Sequence, residues 1–320
     1  MKISIIIPNY NKADFIGETL NSLISQTYVN WEAIIVDDGS TDDSKKIIEK
    51  YADSDKRINH IFLEKSKNGG SFCRNVGLNN ASGQFVIFLD SDDILSTVNL
   101  NTRLQYVSDN FNKYDAWVFP MSLFRETVED SPDLPFWKPL DNNLLERFLS
   151  HDLPWQTMQP IWRKEFVEKV GGFDETYKRY QDVEFHTRAL LNGARVSCNT
   201  YGEPDCYYRV SNDRIIVDKI NFIENKAEGA IKYYIDFFDK VKKKHRKYLS
   251  VTLLKGIREV FYFSKSHQIK CSRVIYTIIN AEKKNFIKFL LSIYFFTLKN
   301  IKFHIPGLEK LFNWLIRISY

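Results

Sequence analysis

The 320-residue chain has only four cysteines, Cys73, Cys198, Cys206 and Cys271, and none stands at the close spacing of a zinc or iron–sulfur site. Buried free thiols are the expectation, although Cys198 and Cys206 are close enough in sequence to be neighbours. The six histidines form no cluster, so His151 and His186 read as ordinary polar residues rather than ligands or bases. The opening Met1-Lys2-Ile3-Ser4 lacks the apolar core of a signal peptide, which makes a reduced, cytoplasmic setting the expected one. Long apolar runs are missing too. Phe286 to Leu298 is 13 residues with Lys288 inside, short of the roughly 20 that a spanning helix needs. It reads as a buried or an interfacial helix.

What is present is an ordinary globular composition, 44% hydrophobic and 27% charged, which excludes disorder. The net charge of +5 hides an asymmetry: residues 221–320 hold 20 Lys/Arg and 7 Asp/Glu, whereas residues 1–220 hold 25 and 33. With the length, this predicts two parts, a domain over 1–218 and a basic, aromatic-rich helical region over 219–320. In the second part Tyr233, Tyr234, Phe237 and Phe238 precede Lys242-Lys243-Lys244-His245-Arg246-Lys247. Basic and aromatic sides suit a helix lying on the inner, anionic face of the cell membrane. They suit equally a helical bundle packed on the first domain or on a second copy of the chain. No recognition motif accompanies the charge, so nucleic acid is not expected as a partner.

The first part follows a β-α rhythm. Ile3 to Ile7 is a short β-branched strand stopped by Pro8-Asn9-Tyr10-Asn11, and a helix follows from Asp14 to about Gln26. Trp31 to Val36 is a second strand running into Asp37-Asp38-Gly39-Ser40-Thr41. Ser40 or Thr41 is the expected cap of the next helix, with Asp42 and Asp43 at its positive end. Ile58 to Leu63 is a third strand, and Gly69-Gly70 turns into a small-residue helix from Ser71 to Asn80 that carries Arg74. Further helices are expected over 99–110, 144–151, 164–169 and 180–191, a strand over 116–120 and an irregular loop over 131–139.

The chemistry concentrates at Phe85-Val86-Ile87-Phe88-Leu89-Asp90-Ser91-Asp92-Asp93. Five apolar residues read as a strand buried on both faces, and three carboxylates follow at its carboxyl end, where open α/β sheets place their ligands. Carboxylates so close repel one another, which points to a divalent cation between them facing a phosphate-bearing ligand. Asp37 and Asp38 end a strand of the same sheet and read as ligand-binding, and Arg74 as reaching a phosphate or these acids. Asp182 falls in the first turn of its helix, after the Gly171-Gly172 turn, where it reads either as a cap or as a base.

In order and spacing, three groups of residues resemble the family 2 glycosyltransferases: Ser4 to Asn11 with Val36 to Asp42, Asn68 to Leu78 with Ala81 to Asp93, and Val170 to Glu175 with Asp182. The resemblance covers roughly residues 3–210. It implies a GT-A fold, a Rossmann-like mixed sheet flanked by helices, and inverting transfer of a sugar from a nucleotide diphosphate, UDP being the commonest. The acceptor would be a saccharide or a lipid-linked saccharide, in building a cell-surface polysaccharide. It further implies that Pro8, Tyr10 and Asn11 surround the base and ribose, that Asp38 receives the base beside Asp37, and that Arg74 approaches the diphosphate. In the family's Asp-x-Asp motif Asp92 would ligate Mn²⁺ or Mg²⁺, with Asp90 toward the ribose and the metal's waters and Ser91 on the nucleotide sugar. Asp182 matches the catalytic base, and Arg209, in Tyr207-Tyr208-Arg209, would touch the diphosphate or its loop. The sequence departs from the family's usual Glu-Asp pair in having Gln181. That departure keeps a catalytically degenerate nucleotide-sugar binder or scaffold as the alternative, while a phosphohydrolase is disfavoured because its acidic motif belongs on the first strand.

Overall fold

The computed structural model describes residues 1–64, 68–109, 111–128, 136–210 and 219–263. Along the chain come β1 (Ile3–Asn9), α1 (Ala13–Ile24), β2 (Trp31–Asp37), α2 (Ser44–Ser54), β3 (Ile58–Phe62), α3 (Gly70–Asn80) and β4 (Phe85–Phe88). They are followed by β5 (Ile94–Leu95), α4 (Asn99–Asp109), β6 (Ala116–Val118), β7 (Met121–Phe124), β8 (Phe136–Trp137), α5 (Leu144–Leu149) and β9 (Pro160–Arg163). Then come α6 (Lys164–Lys169), α7 (Gln181–Leu191), β10 (Val196–Cys198), β11 (Cys206–Arg209), α8 (Lys219–Phe238) and α9 (Arg246–Phe263).

Seven strands form the main sheet in the order β10-β6-β9-β4-β1-β2-β3. β1 pairs in parallel with both β2 and β4, while β9 runs antiparallel between β4 and β6 and makes the sheet mixed. Alternation along the central strands divides the core into two layers, as a period of two requires. Ile3, Ile5, Ile7, Ala33, Ile35, Phe85 and Ile87 face one side, with Ile16 and Leu20 of α1 and Leu100 of α4. Ile6, Ile34, Val36, Val86 and Phe88 face the other, with Leu78 of α3, Phe166 of α6 and Phe185 of α7. The helix α3 lies so close to β1 that a Cβ on Gly77 would stand 2.4 Å from Ile6 Cγ2.

A smaller sheet, β5-β11-β7-β8, was not foreseen in the sequence. Its strands are two to four residues long, too short for a periodicity to show. Phe136-Trp137 is strand rather than loop, while residues 131–135 of that expected loop lie outside the described residues. The buried Arg103 of α4 donates to Asp205 from Nε at 2.8 Å and Nη2 at 2.7 Å, which anchors the start of β11. Cys73, Cys198 and Cys206 are free thiols, and Cys271 lies outside the described residues.

The chain divides into two compact units. The first comprises Met1–Leu144, Leu153–Tyr177 and Gln181–Arg214, and holds both sheets. The second takes Leu145–Asp152 and Lys178–Tyr180 from mid-chain, segments that a cut at residue 218 assigns to the first domain, along with the chain after Arg214. Within it Tyr233, Phe237 and Leu249 are buried, and α9 is tied to the end of α5 by Thr252 Oγ1 donating to the Leu149 carbonyl at 2.6 Å. No described helix is long and apolar enough to cross a membrane. The run Phe286 to Leu298 lies outside the described residues.

At the edge of the sheet away from the strand-end acids, Glu32 accepts from Lys2 Nζ at 2.7 Å, Ser4 Oγ at 2.6 Å and the Ser82 amide at 2.7 Å. Burial pushes this carboxyl up, but the donors Lys2, Ser4 and Ser82 outweigh it and hold it at about 2. A depressed folded-state value contributes stability above the ordinary value of 4.5 that is lost as pH falls toward about 2. Over that window the wild type should lose up to roughly 3 kcal/mol more unfolding free energy than Glu32→Gln, measured by urea denaturation at a series of pH values.

Candidate active site

β1 lies between β4 and β2, and the chain leaves it toward opposite sides, so the carboxyl ends of these three strands border a crevice. A cleft of about 440 Å³ opens there, lined by residues from the ends of β1 and β2, the start of α3 and the loop after β4. Of the candidate site residues, Pro8, Tyr10, Asp38, Asp90, Ser91 and Asp92 line it, and Lys12 lines it in addition.

The paired acids after β2 divide their work. Asp38 accepts from the Gly69 amide and the Asn68 side chain, each at 2.9 Å, and stays on the cleft. Asp37 is fully buried and off the cleft lining, its carboxylate taken by the Ser40 amide at 2.8 Å, Ser40 Oγ at 2.5 Å and Asn9 Nδ2 at 2.7 Å. It holds the turn that presents Asp38. Asn11, in the left-handed region at φ 49°, does similar work: its amide donates to Ser40 Oγ and its side chain accepts from the Thr41 amide, both at 2.8 Å. Ser40 and Thr41 therefore brace the loops and do not cap α2. Asp43 stands at the N-cap without a side-chain cap bond, while Asp42 before it accepts from the Ser44 amide at 3.0 Å and the Ala13 amide at 2.9 Å.

The acidic motif after β4 also splits. Asp90 and Asp92 face the cleft, whereas Asp93 is buried, accepting from the Arg209 amide at 2.9 Å. Arg209 lies behind this loop, off the cleft lining: its Nε donates to the Asp92 carbonyl at 2.9 Å and its Nη2 pairs with Glu18 at 2.5 Å. Of its two expected roles, the loop contact is the one the geometry favours.

Each cleft acid of the motif has a cation. Arg74 Nη2 pairs with Asp90 at 2.6 Å, and Lys12 Nζ with Asp92 at 2.5 Å. Arg74 is 8% exposed in its side chain, lies 5.2 Å from the centre of the Phe173 ring, and donates from Nη1 to Gln181 Oε1 at 3.0 Å. Gly70 is needed here, since a Cβ would stand 2.9 Å from Arg74 Nη1 and 3.1 Å from Gln181 Oε1. The Gly171-Gly172-Phe173 turn is docked rather than open: Asn75 of α3 accepts from the Phe173 amide at 2.8 Å and donates to its carbonyl at 2.9 Å.

Asp182 follows Gln181 in the first turn of α7. Burial pushes its carboxyl above the ordinary range; the Val183 amide and the Arg74 charge pull it down, and Asp90 pushes it up. It is thus electrically coupled to both members of the Arg74–Asp90 pair. The Cys73 thiol, raised to about 12 mainly by burial, is no nucleophile. His186 is buried among Trp155, Trp162 and Phe185, where burial lowers it to about 3, and it belongs to the core.

Among the described residues no group of three or more His, Cys, Asp or Glu is gathered for a metal. Asp90 and Asp92 nonetheless form a hard oxygen pair of the kind that holds Mg²⁺ or Mn²⁺ together with substrate phosphates and water, so the residues fit such an ion. Lys12 carried no expectation in the sequence; its only signal there is a cation one residue past Asn9-Tyr10-Asn11.

The geometry has a counterpart among known proteins. Residues 4–157 match the family described as Glycosyl transferase family 2. These residues belong to that family. Within the curated relatives, the chain is 39% identical over 107 residues to the putative teichuronic acid biosynthesis glycosyltransferase TuaG of Bacillus subtilis, a match covering 33% of the chain and 42% of the relative. It is 30% identical over 242 residues to the poly(ribitol-phosphate) beta-N-acetylglucosaminyltransferase TarS of Staphylococcus aureus, covering 72% of the chain and 36% of the relative. The matches thus span less than half the length of these relatives. A crystal structure of S. aureus TarS 1–349 in complex with UDP superimposes with a TM-score of 0.67 at 22% identity, covering 100% of the chain and 91% of the solved one. The glycosyltransferase fold expected from the sequence, GT-A, is therefore present.

The division between the strand-end acids can be tested through stability. Asp37→Ala leaves the buried groups of Ser40 and Asn9 without their acceptor and should lower the unfolding free energy by about 1–3 kcal/mol in urea denaturation, whereas Asp38→Ala should cost less.

Proposed function

We propose that this family 2 glycosyltransferase transfers a sugar from a UDP-sugar to a saccharide or lipid-linked saccharide acceptor, with inversion, in building a cell-surface polysaccharide. The observation that carries the reading is the cleft itself, which brings Tyr10 and Asp38 together with Asp90, Ser91 and Asp92. A nucleotide diphosphate needs such a combination: a hydrogen-bond acceptor for its base and charge control for its phosphates. The printed names of the relatives, on teichuronic acid and poly(ribitol-phosphate), and the UDP bound to the TarS structure support the donor and the polymer class.

In this reading Asp38 accepts from the base, Pro8 and Tyr10 flank base and ribose, and Arg74, held in place by Gln181, offers its charge to the diphosphate. Asp37, Asn11 and Arg209 act as positioning residues for the loops. Asp92, with Asp90, would hold a Mg²⁺ or Mn²⁺ ion, which would supply Lewis-acid stabilisation of the departing diphosphate. The acceptor oxygen bonds to the anomeric carbon as that carbon's bond to the diphosphate oxygen breaks, and Asp182 takes the hydroxyl proton. Gln181 fixes Arg74 through its neutral amide, so the arginine keeps more of its charge for the diphosphate than a carboxylate in that place would leave it. Such a donor puts the protein in the cytoplasm, with the basic second unit toward the membrane or a second copy.

Asp182→Asn should lower transfer by about 10²–10⁴, while UDP still raises the melting temperature as it does for the wild type. Wild-type activity in that variant would remove Asp182 from the role. Because the carboxyl is raised and works deprotonated, the acid limb of the kcat/KM profile should lie above the ordinary carboxylate range and vanish in Asp182→Asn. UDP-sugar binding by the wild type with neither transfer nor hydrolysis across an acceptor panel would instead favour the scaffold reading.

A further inference from the structure

Both acids that the proposed reaction gives to a divalent cation are already matched by cations of the chain itself. Asp92, 9% exposed in its side chain, has Lys12 Nζ at 2.5 Å, and Asp90 has Arg74 Nη2 at 2.6 Å. A nearly buried carboxylate is costly without a positive partner. Lys12 meets that need for Asp92 in the absence of any ligand.

The two cations are not equally held. Arg74 is clamped by Gln181, lies beside Phe173 and is 8% exposed. Lys12 is 31% exposed on a flexible four-carbon stem, its amide donating to Ser44 Oγ at 3.0 Å at the start of α1 and its Nζ 5.6 Å from the centre of the Phe15 ring. Lys12 is therefore the partner able to leave. An ammonium seated on Asp92 repels a divalent ion approaching the same carboxylate. A diphosphate entering the cleft that Lys12 lines offers the ammonium new anionic partners.

From this arrangement we infer that Lys12 is a resident counter-ion that the donor's diphosphate must draw off Asp92 before a divalent cation can bind there, so that cation and nucleotide bind cooperatively. The inference rests on the reading of Asp92 as the ligand of a cation used with a nucleotide diphosphate. It makes Lys12 a positioning residue for the cation. Linkage makes the coupling reciprocal: UDP tightens the cation as much as the cation tightens UDP.

The test is direct Mn²⁺ binding, read from the electron paramagnetic resonance signal of the free ion, with and without saturating UDP, for the wild type, Lys12→Met, Lys12→Arg and Asp92→Asn. Wild type and Lys12→Arg should bind Mn²⁺ roughly tenfold more tightly with UDP than without it. Lys12→Met should bind Mn²⁺ without UDP roughly tenfold more tightly than the wild type does, while Asp92→Asn loses the site in both states. The inference is overturned if wild type and Lys12→Met bind Mn²⁺ equally in the absence of UDP, or if Lys12→Arg behaves like Lys12→Met. A UDP thermal shift run in parallel separates the two levels. If UDP stabilises the wild type and Mn²⁺ binding ignores Lys12, this inference alone falls; if UDP gives no shift with or without Mn²⁺, the donor reading falls and takes the inference with it.

Discussion

A strand buried on both faces can carry charge only where it leaves the sheet. β1, β2 and β4 bury isoleucine, valine and phenylalanine on each side, so their chemistry is confined to the residues just beyond their carboxyl ends. The strand order then decides which of those ends are neighbours. Because β1 sits between β4 and β2, Tyr10, Asp38 and the Asp90-Ser91-Asp92 segment, far apart in the chain, border one cleft.

Crowding acids at one edge creates a second requirement, since each needs a partner that does not block the cleft. Backbone and amide donors serve Asp37 and Asp38, through Ser40, Asn9, Asn68 and Gly69. The Arg209 amide serves Asp93 from behind. Asp90 and Asp92 take full cations, Arg74 and Lys12. Asp37 and Asp93 lie off the cleft lining, whereas Asp38, Asp90 and Asp92 are on it.

Arg74 links the sheet edge to α7. It joins Asp90 to Gln181, and its charge also reaches Asp182. The glycine at 70, the docked turn at Phe173 and the neutral amide of Gln181 are all conditions for its position. The glutamine beside the expected base gives the arginine an acceptor that carries no charge.

Much of this was legible in the chain. Apolar runs located β1, β2 and β4, helical spacing located α1, the Gly69-Gly70 turn located α3, and the acids at strand ends marked the candidate site before any contact was known, because local periodicity and burial are written in neighbouring residues. The cleft positions of Asp38, Asp90 and Asp92 follow the same logic. What tertiary structure decided is which of two adjacent like residues faces the cleft. Asp37 and Asp38 are indistinguishable as letters, and the hydrogen bonds from Asn9 and Ser40 turn the first inward; Arg209 reads as touching either the diphosphate or its loop until the second sheet puts it behind the loop. Lys12 and Asp92, eighty residues apart, become a pair only when α1 and the loop after β4 meet at the same edge. Periodicity reports what a residue does to its own element, and ion pairing depends on which elements the sheet order brings together.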